Sequence, residues 1–174
     1  MMGKRSNFAR NERDFYPTPE AAVLPLLAHL DPRDSFVEPC AGNGALVIAL
    51  SKMGFKCVEA FDIYPMHKSV IHGDATRDVT PYGCDVYITN PPWDRKALHP
   101  IIRNLAAHRP CWLLFDADWM HTKQATEFLP WLVKVVSVGR VKWIPDSKMT
   151  GKDNCCWYLF DANNTQQTQF YGRT

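Results

Sequence analysis

Short runs rich in β-branched and aromatic residues alternate along this chain with apolar runs of helical spacing, and that alternation leaves few folds open. Ser35–Glu38, Lys56–Asp62, Ser69–His72, Cys84–Thr89 and Cys111–Phe115 read as strands. Between them lie helical runs at Ala21–Leu30, Ala45–Met53 and Ala97–Ala107, with another at His121–Trp131. Thr18-Pro19-Glu20 supplies a cap, a first-turn proline and a first-turn acid, Asp31-Pro32 stops the same helix, and Gly54 suits the end of the second. Near the end the alternation changes. Val135–Ile144 and Cys155–Phe160 flank the polar loop Pro145–Asn154, which predicts an antiparallel hairpin. The expectation is an α/β fold: a mostly parallel sheet with helices on both faces and a C-terminal antiparallel hairpin. Ligands of such sheets bind outside the carboxyl ends of the strands. Glu38, Asp62, Asp74 and Asn90 each fall at such an end.

The chain has 174 residues, enough for one domain with a substantial core. A polar, basic arm is expected over residues 1–14, the domain over 15–162, and an irregular Gln-, Thr- and Asn-rich tail over 163–174. The formal charge of +2 gives no broad electrostatic footprint, although Lys4, Arg5, Arg10 and Arg13 crowd the start and Lys142, Lys148 and Lys152 the end. No apolar run approaches the roughly 20 residues of a membrane span, and the basic start lacks the apolar core of a signal peptide. The six cysteines form no CxxC pair and read as reduced, buried thiols of a cytoplasmic protein. Neither they nor the histidines show metal-ligand spacing, so no metal site is expected.

Glu38-Pro39-Cys40-Ala41-Gly42-Asn43-Gly44 follows a strand and opens a helix. Glycines at such a turn let the backbone approach a ligand closely. A phosphate is the usual guest of that geometry, but a carboxylate beside it is unfavourable. Glu38 suits instead a ligand carrying positive charge or hydroxyl and amine donors. S-adenosylmethionine has an ammonium, a sulfonium and ribose hydroxyls. Asp62 ends the second strand, where an acid binds ribose hydroxyls, and Asp74 is placed to accept from an adenine amino group.

Asn90-Pro91-Pro92-Trp93 is the most specific feature. Consecutive prolines cannot continue a sheet ladder, so the strand stops there. An aromatic amino group is a poor nucleophile because its lone pair is delocalised into the ring. Two acceptors aimed at its hydrogens localise that pair toward a methyl donor, and the Asn90 side-chain oxygen and Pro91 carbonyl are candidates. Trp93 offers a flat face on which a base can stack, worth roughly 1–3 kcal/mol. No strong base is required, since catalysis is alignment plus electrostatics.

Together these residues resemble the class I, Rossmann-like S-adenosylmethionine-dependent amino-methyltransferases, and within them the small adenine-N6 DNA methyltransferases of the kind phages encode. Phe15-Tyr16-Pro17-Thr18-Pro19 is similar to the N-terminal motif at the cofactor's methionine end. The resemblance implies cofactor contacts from Tyr16, Thr18, Glu38, Pro39, Ala41, Gly42, Gly44, Asp62, Ile63, Asp74 and Ala75, and catalysis at Asn90, Pro91, Pro92 and Trp93. It also implies a seven-stranded sheet, DNA as partner, and a base flipped out of the duplex. Trp93 stands where Tyr or Phe is commoner in DNA enzymes. With no room for a long target-recognition domain, specificity is expected from the basic arm, the loop Pro145–Asn154, or a partner subunit or second copy.

Arg95, Trp119, Lys148 and Lys152 are further candidates for substrate contact, the lysines toward phosphates and Trp119 as a pocket wall. Asp116 and Asp118 end the fifth strand and read as turn residues, while Trp112, Trp131, Trp143 and Trp157 lie in apolar runs and read as core. Two other functions fit the same pattern. One is methylation of RNA, guanine or glutamine amide nitrogens by the same motif; the other is a non-enzymatic module that binds the cofactor.

Overall fold

The computed structural model describes residues 15–80 and 83–174. Residues 1–14, expected to form the basic arm, lie outside them. Helix α1 (Glu20–Val23) runs into a 3-10 segment, Leu24–His29. Strand β1 (Ser35–Glu38), helix α2 (Ala45–Lys52), and strands β2 (Lys56–Asp62), β3 (Ile71–His72) and β4 (Val86–Thr89) follow. Helix α3 (Arg95–His108) leads to β5 (Cys111–Asp116), and β6 (Leu132–Arg140), β7 (Asn154–Phe160) and β8 (Gln169–Tyr171) complete the chain.

Among the described residues eight strands make one sheet in the order β3-β2-β1-β4-β5-β7-β6-β8. Strands β1 to β5 pair in parallel, and β7 runs antiparallel to both β5 and β6. The order reverses direction between β1 and β4, the point at which such sheets open a crevice for ligands. Successive side chains alternate between the faces. Val37, Tyr87, Leu113 and Phe115 pack with Leu98, Ile101, Ile102 and Leu105 of α3 on one side. Phe36, Val86, Ile88, Trp112 and Leu114 pack with Leu46, Ala49 and Leu50 of α2 on the other. Among the described residues no helix is long and apolar enough to cross a membrane.

Four sequence expectations are corrected. The run Ala21–Leu30 is not one α-helix: Pro25 has no N–H to donate and its ring crowds the preceding turn, so the backbone tightens to 3-10 winding. The run His121–Trp131 is likewise broken into 3-10 turns, part of the series Ala117–His121, Lys123–Glu127 and Leu129–Trp131. Its backbone bonds join Thr122 to Trp119, Ala125 to Thr122, Phe128 to Ala125 and Trp131 to Phe128, a spacing of three that suits three residues per turn. Trp119, Ala125 and Phe128 are thereby turned into the core.

Strand β6 begins at Leu132 and ends at Arg140, earlier at both ends than the hydrophobic run suggests. Its register shifts between Ser137 and Gly139, and Gly139 has φ of 83°, so the chain bends out of the sheet and carries residues 141–144 away from β7. Finally, the tail is not irregular throughout, and it brings the sheet to eight strands instead of the seven that the resemblance implies. β8 pairs in parallel with β6, and the Thr168 hydroxyl donates to the Leu132 carbonyl at 2.7 Å. The open edge of β6 supplies ladder partners that a polar tail can use, and Tyr171 seats its ring edge-on against His29, 4.4 Å between centroids. The cysteines are all free; Cys84, Cys111, Cys155 and Cys156 are buried, while Cys40 and Cys57 are only partly so.

Candidate active site

The site at the sheet reversal is built first from the turn after β1. Gly42 and Gly44 have φ of 51° and 81°, values that favour glycine. The Ala41 N–H donates to Phe61 O at 3.0 Å and the Gly44 N–H to Ala41 O at 2.7 Å. At the end of β2 the Asp62 carboxylate accepts the Gly42 N–H at 2.8 Å and the Tyr64 N–H at 2.7 Å. The Phe15 ring lies directly over Gly42, in the space a β-carbon there would need. The Cys40 N–H donates to the buried Thr89 hydroxyl at 3.2 Å, which ties the same turn to β4.

Glu38 at the end of β1 is 2% exposed, and its Oε2 has no hydrogen-bond partner. Burial pushes its carboxyl well above the usual range; a backbone hydrogen bond from Val47 opposes this and the nearby charge of Asp62 adds to it. A buried carboxylate oxygen without a donor fits an amine or hydroxyl of a ligand, which would supply the missing hydrogen bond.

Asp74 follows β3. It accepts from the Thr76 hydroxyl at 2.7 Å and the Thr76 N–H at 3.0 Å, and Arg77 lies 3.5 Å away. These bonds, led by that of the hydroxyl, hold its carboxyl below the usual range. Pro39 and Ala75 are buried, and Ile63 is exposed on the loop after β2.

Asn90 follows β4 directly. Its Nδ2 donates to Oγ1 of Thr18 at 3.2 Å, and its Oδ1 accepts the indole N–H of Trp93 at 3.3 Å. Thr18 is buried on the N-terminal segment, so that segment is brought to the end of β4. Pro91 is buried, and Pro92 and Trp93 are partly so. Asp94 then caps α3 by accepting the Lys96 N–H.

The structure places Trp143, read from the sequence as core, at this site. Its partly buried ring meets Trp93 edge-to-face at 5.7 Å between centroids and Tyr16 at 6.5 Å. The bend at Gly139 puts it there. The sequence signal was its position beside Lys142 at the mouth of a polar loop. Trp119 does not join the group: it is 3% exposed, packs on Phe115 and Phe128, and donates its indole N–H to Nε2 of His99 at 3.0 Å. Arg95 is exposed and donates to Gln124, while Lys148 and Lys152 are exposed on the segment between β6 and β7. Asp116 is partly buried, which raises its carboxyl, and both it and Asp118 belong to a turn in which Asp116 accepts the Asp118 N–H at 3.0 Å.

No family model matches the sequence, and neither does any curated protein. Solved structures do match the fold. A provisionally assigned RNA methyltransferase of Pyrococcus horikoshii is 19% identical with a TM-score of 0.59, over 91% of this chain and 92% of that one. A dimethyladenosine transferase of Plasmodium falciparum is 17% identical with a TM-score of 0.55, over 84% of this chain and 62% of that one. The M protein of the type I restriction enzyme EcoKI is 10% identical with a TM-score of 0.57, over 87% of this chain and 44% of that one. This chain therefore spans less than two thirds of the length of the last two. The strand order and these likenesses together show that the chain has the fold of the class I S-adenosylmethionine-dependent methyltransferases.

Proposed function

We propose that this chain transfers a methyl group from S-adenosylmethionine to the exocyclic N6 amino nitrogen of adenine in DNA. The observation that carries the reading is the Asn90 carboxamide, held at the sheet reversal with its oxygen on the Trp93 side. The cofactor's requirements fit the residues beside it. Glu38 has a buried oxygen free for an ammonium or hydroxyl donor, and the left-handed glycines allow close backbone approach. When bound, S-adenosylmethionine supplies a methyl group on a sulfonium, from which it departs without the bonding electrons.

Asn90 Oδ1 and the Pro91 carbonyl accept the two amino hydrogens and so draw the nitrogen lone pair out of ring conjugation. As the nitrogen–methyl bond forms, the surplus proton passes to water. Trp93, with Trp143 and Tyr16 around it, offers aromatic surface to a base, and a base in a duplex would have to be flipped to reach it. Exposed Lys142, Lys148 and Lys152 lie on the segment around Trp143 and would meet phosphates. Target choice would draw on that segment, on the basic residues at the start of the sequence, or on a second copy or partner subunit.

Adenine is supported by the resemblance of the motif and by the fold shared with a dimethyladenosine transferase, and DNA by the resemblance to phage-type enzymes and by the fold shared with a restriction-enzyme M protein. The test is mass spectrometry of nucleosides from DNA and RNA of cells expressing the wild type or Asn90→Ala. N6-methyladenine in DNA that depends on Asn90 is the expected result. Asn90-dependent methylation confined to RNA nucleosides, or absent from both nucleic acids, would overturn the DNA reading.

A further inference from the structure

We infer that the indole N–H of Trp93 and the hydroxyl of Thr18 are positioning groups that fix which way round the Asn90 carboxamide faces. The inference rests on the proposed amino-methylation, because it concerns the acceptor that this chemistry uses. A primary amide can occupy its place in two orientations, with oxygen and nitrogen exchanged. Only one of them presents an acceptor to a substrate amino group. The other presents N–H toward N–H, so it cannot draw out the nitrogen lone pair.

The neighbours of Asn90 decide between them. An indole N–H is a donor and nothing else, so the amide atom 3.3 Å from Trp93 Nε1 has to be the oxygen. That leaves the Asn90 nitrogen toward Thr18 Oγ1, 3.2 Å away, which accepts from it. Thr18 alone would not settle the matter, since a hydroxyl donates or accepts equally well. It completes the arrangement by satisfying the amide nitrogen in a nearly dry place, Thr18 being 7% exposed. The carbonyl oxygen has two lone pairs, so after accepting from Trp93 it keeps one for a substrate hydrogen.

This gives the tryptophan a task that phenylalanine or tyrosine at the same position could not perform in this geometry. Either could stack on a base, but neither carries a ring N–H. It also gives Thr18 a contact to the catalytic amide, distinct from the cofactor contact that the motif resemblance implies.

The experiment compares Trp93→Phe, Thr18→Val and Thr18→Ser in the full chain by steady-state kinetics, with a short adenine-containing oligonucleotide as acceptor. The side-chain amide of Asn90 is followed in parallel by 15N–1H NMR of the cofactor-free protein, its signal identified by its loss in Asn90→Ala. Trp93→Phe is expected to lower kcat about three- to tenfold, the effect of one neutral hydrogen bond, while KM for the oligonucleotide moves little. Thr18→Val is expected to lower kcat over the same range and to shift the Asn90 amide protons. Thr18→Ser should restore both.

Three results would overturn the inference. In one, Trp93→Phe raises KM and leaves kcat alone, which makes Trp93 a stacking wall only. In another, Thr18→Val weakens S-adenosylmethionine binding in calorimetry without moving the Asn90 resonances. In the third, Thr18→Ser fails to restore what Thr18→Val loses. Failure of the proposed function is distinguishable, because then the wild type methylates no nucleic acid while the NMR signature still reports whether Thr18 and Trp93 hold the amide.

Discussion

Asp62 holds the Gly42 amide at 2.8 Å from one carboxylate oxygen and the Tyr64 amide at 2.7 Å from the other, so the acid that closes β2 also clamps the glycine turn after β1. Each oxygen keeps a lone pair for a further donor such as a ribose hydroxyl. Asp62→Ala removes both acceptors at once. The expected loss is about 1–3 kcal/mol of stability, with a larger proportional loss of cofactor affinity. Differential scanning calorimetry and titration calorimetry with S-adenosylmethionine check the two parts separately. An unchanged melting temperature would show that the clamp is dispensable.

Glu38 opposes stability and binding to each other. Its folded-state carboxyl is raised by burial, so folding favours the protonated form. The sign follows: stability is full below the ordinary carboxyl range and declines as pH climbs from there through the raised value. Glu38→Gln removes this dependence. It is expected to melt higher than wild type at neutral pH, by the equivalent of about 1–3 kcal/mol, with the advantage vanishing in acid. The same variant should bind S-adenosylmethionine poorly if, as proposed, Glu38 meets the cofactor's ammonium. Melting curves across pH, paired with cofactor titration, test both halves.

Gly42 and Phe15 are expected to be energetically coupled. A β-carbon on Gly42 would enter the Phe15 ring, and φ of 51° is costly for any residue that carries one. Gly42→Ala should therefore destabilise by about 1–3 kcal/mol, and Phe15→Ala in the same chain should recover the part due to the clash but not the part due to the backbone. A double-mutant cycle on melting free energies measures the coupling. Additive effects would mean that the ring moves aside freely.

Trp143 is expected to matter more for the acceptor than for the fold. Its ring is partly buried and its aromatic neighbours are Trp93 and Tyr16. Trp143→Ala should raise KM for an adenine-containing oligonucleotide about tenfold, the effect of losing one stacking surface, with a smaller loss of melting temperature because only part of the ring packs on the core. A large drop in melting temperature with KM unchanged would leave Trp143 only the core role that its sequence neighbours suggest.

The α/β class, the strands β1, β2, β4, β5 and β7, and the acids at their ends were legible in the sequence because each depends on local pattern. Apolar residues that must be buried on both faces of a sheet form compact runs, and a carboxylate or carboxamide at the end of such a run is set by chain order alone. The pairing of Asn90 with Thr18 was not legible, since the two lie 72 positions apart and meet only because the N-terminal segment crosses the end of β4. The core reading of Trp143 holds only in part, for a related reason: its ring packs on the core and also meets Trp93 and Tyr16. Hydrophobicity says that a ring avoids water but not where, and the bulge before Gly139 turned it from the sheet to the site.

By itself, then, the sequence determined the alternation of elements, the glycine turn and the Asn90-Pro91-Pro92-Trp93 strand exit, all of which are short-range consequences of backbone and side-chain chemistry. The tertiary structure alone decided the 3-10 winding at the buried spacing of three, the capture of the tail by the open edge of β6, and the orientation of the Asn90 amide. The first two depend on what the rest of the fold places against them, and the third is completed by Thr18, 72 positions away, so local preference alone specifies none of them.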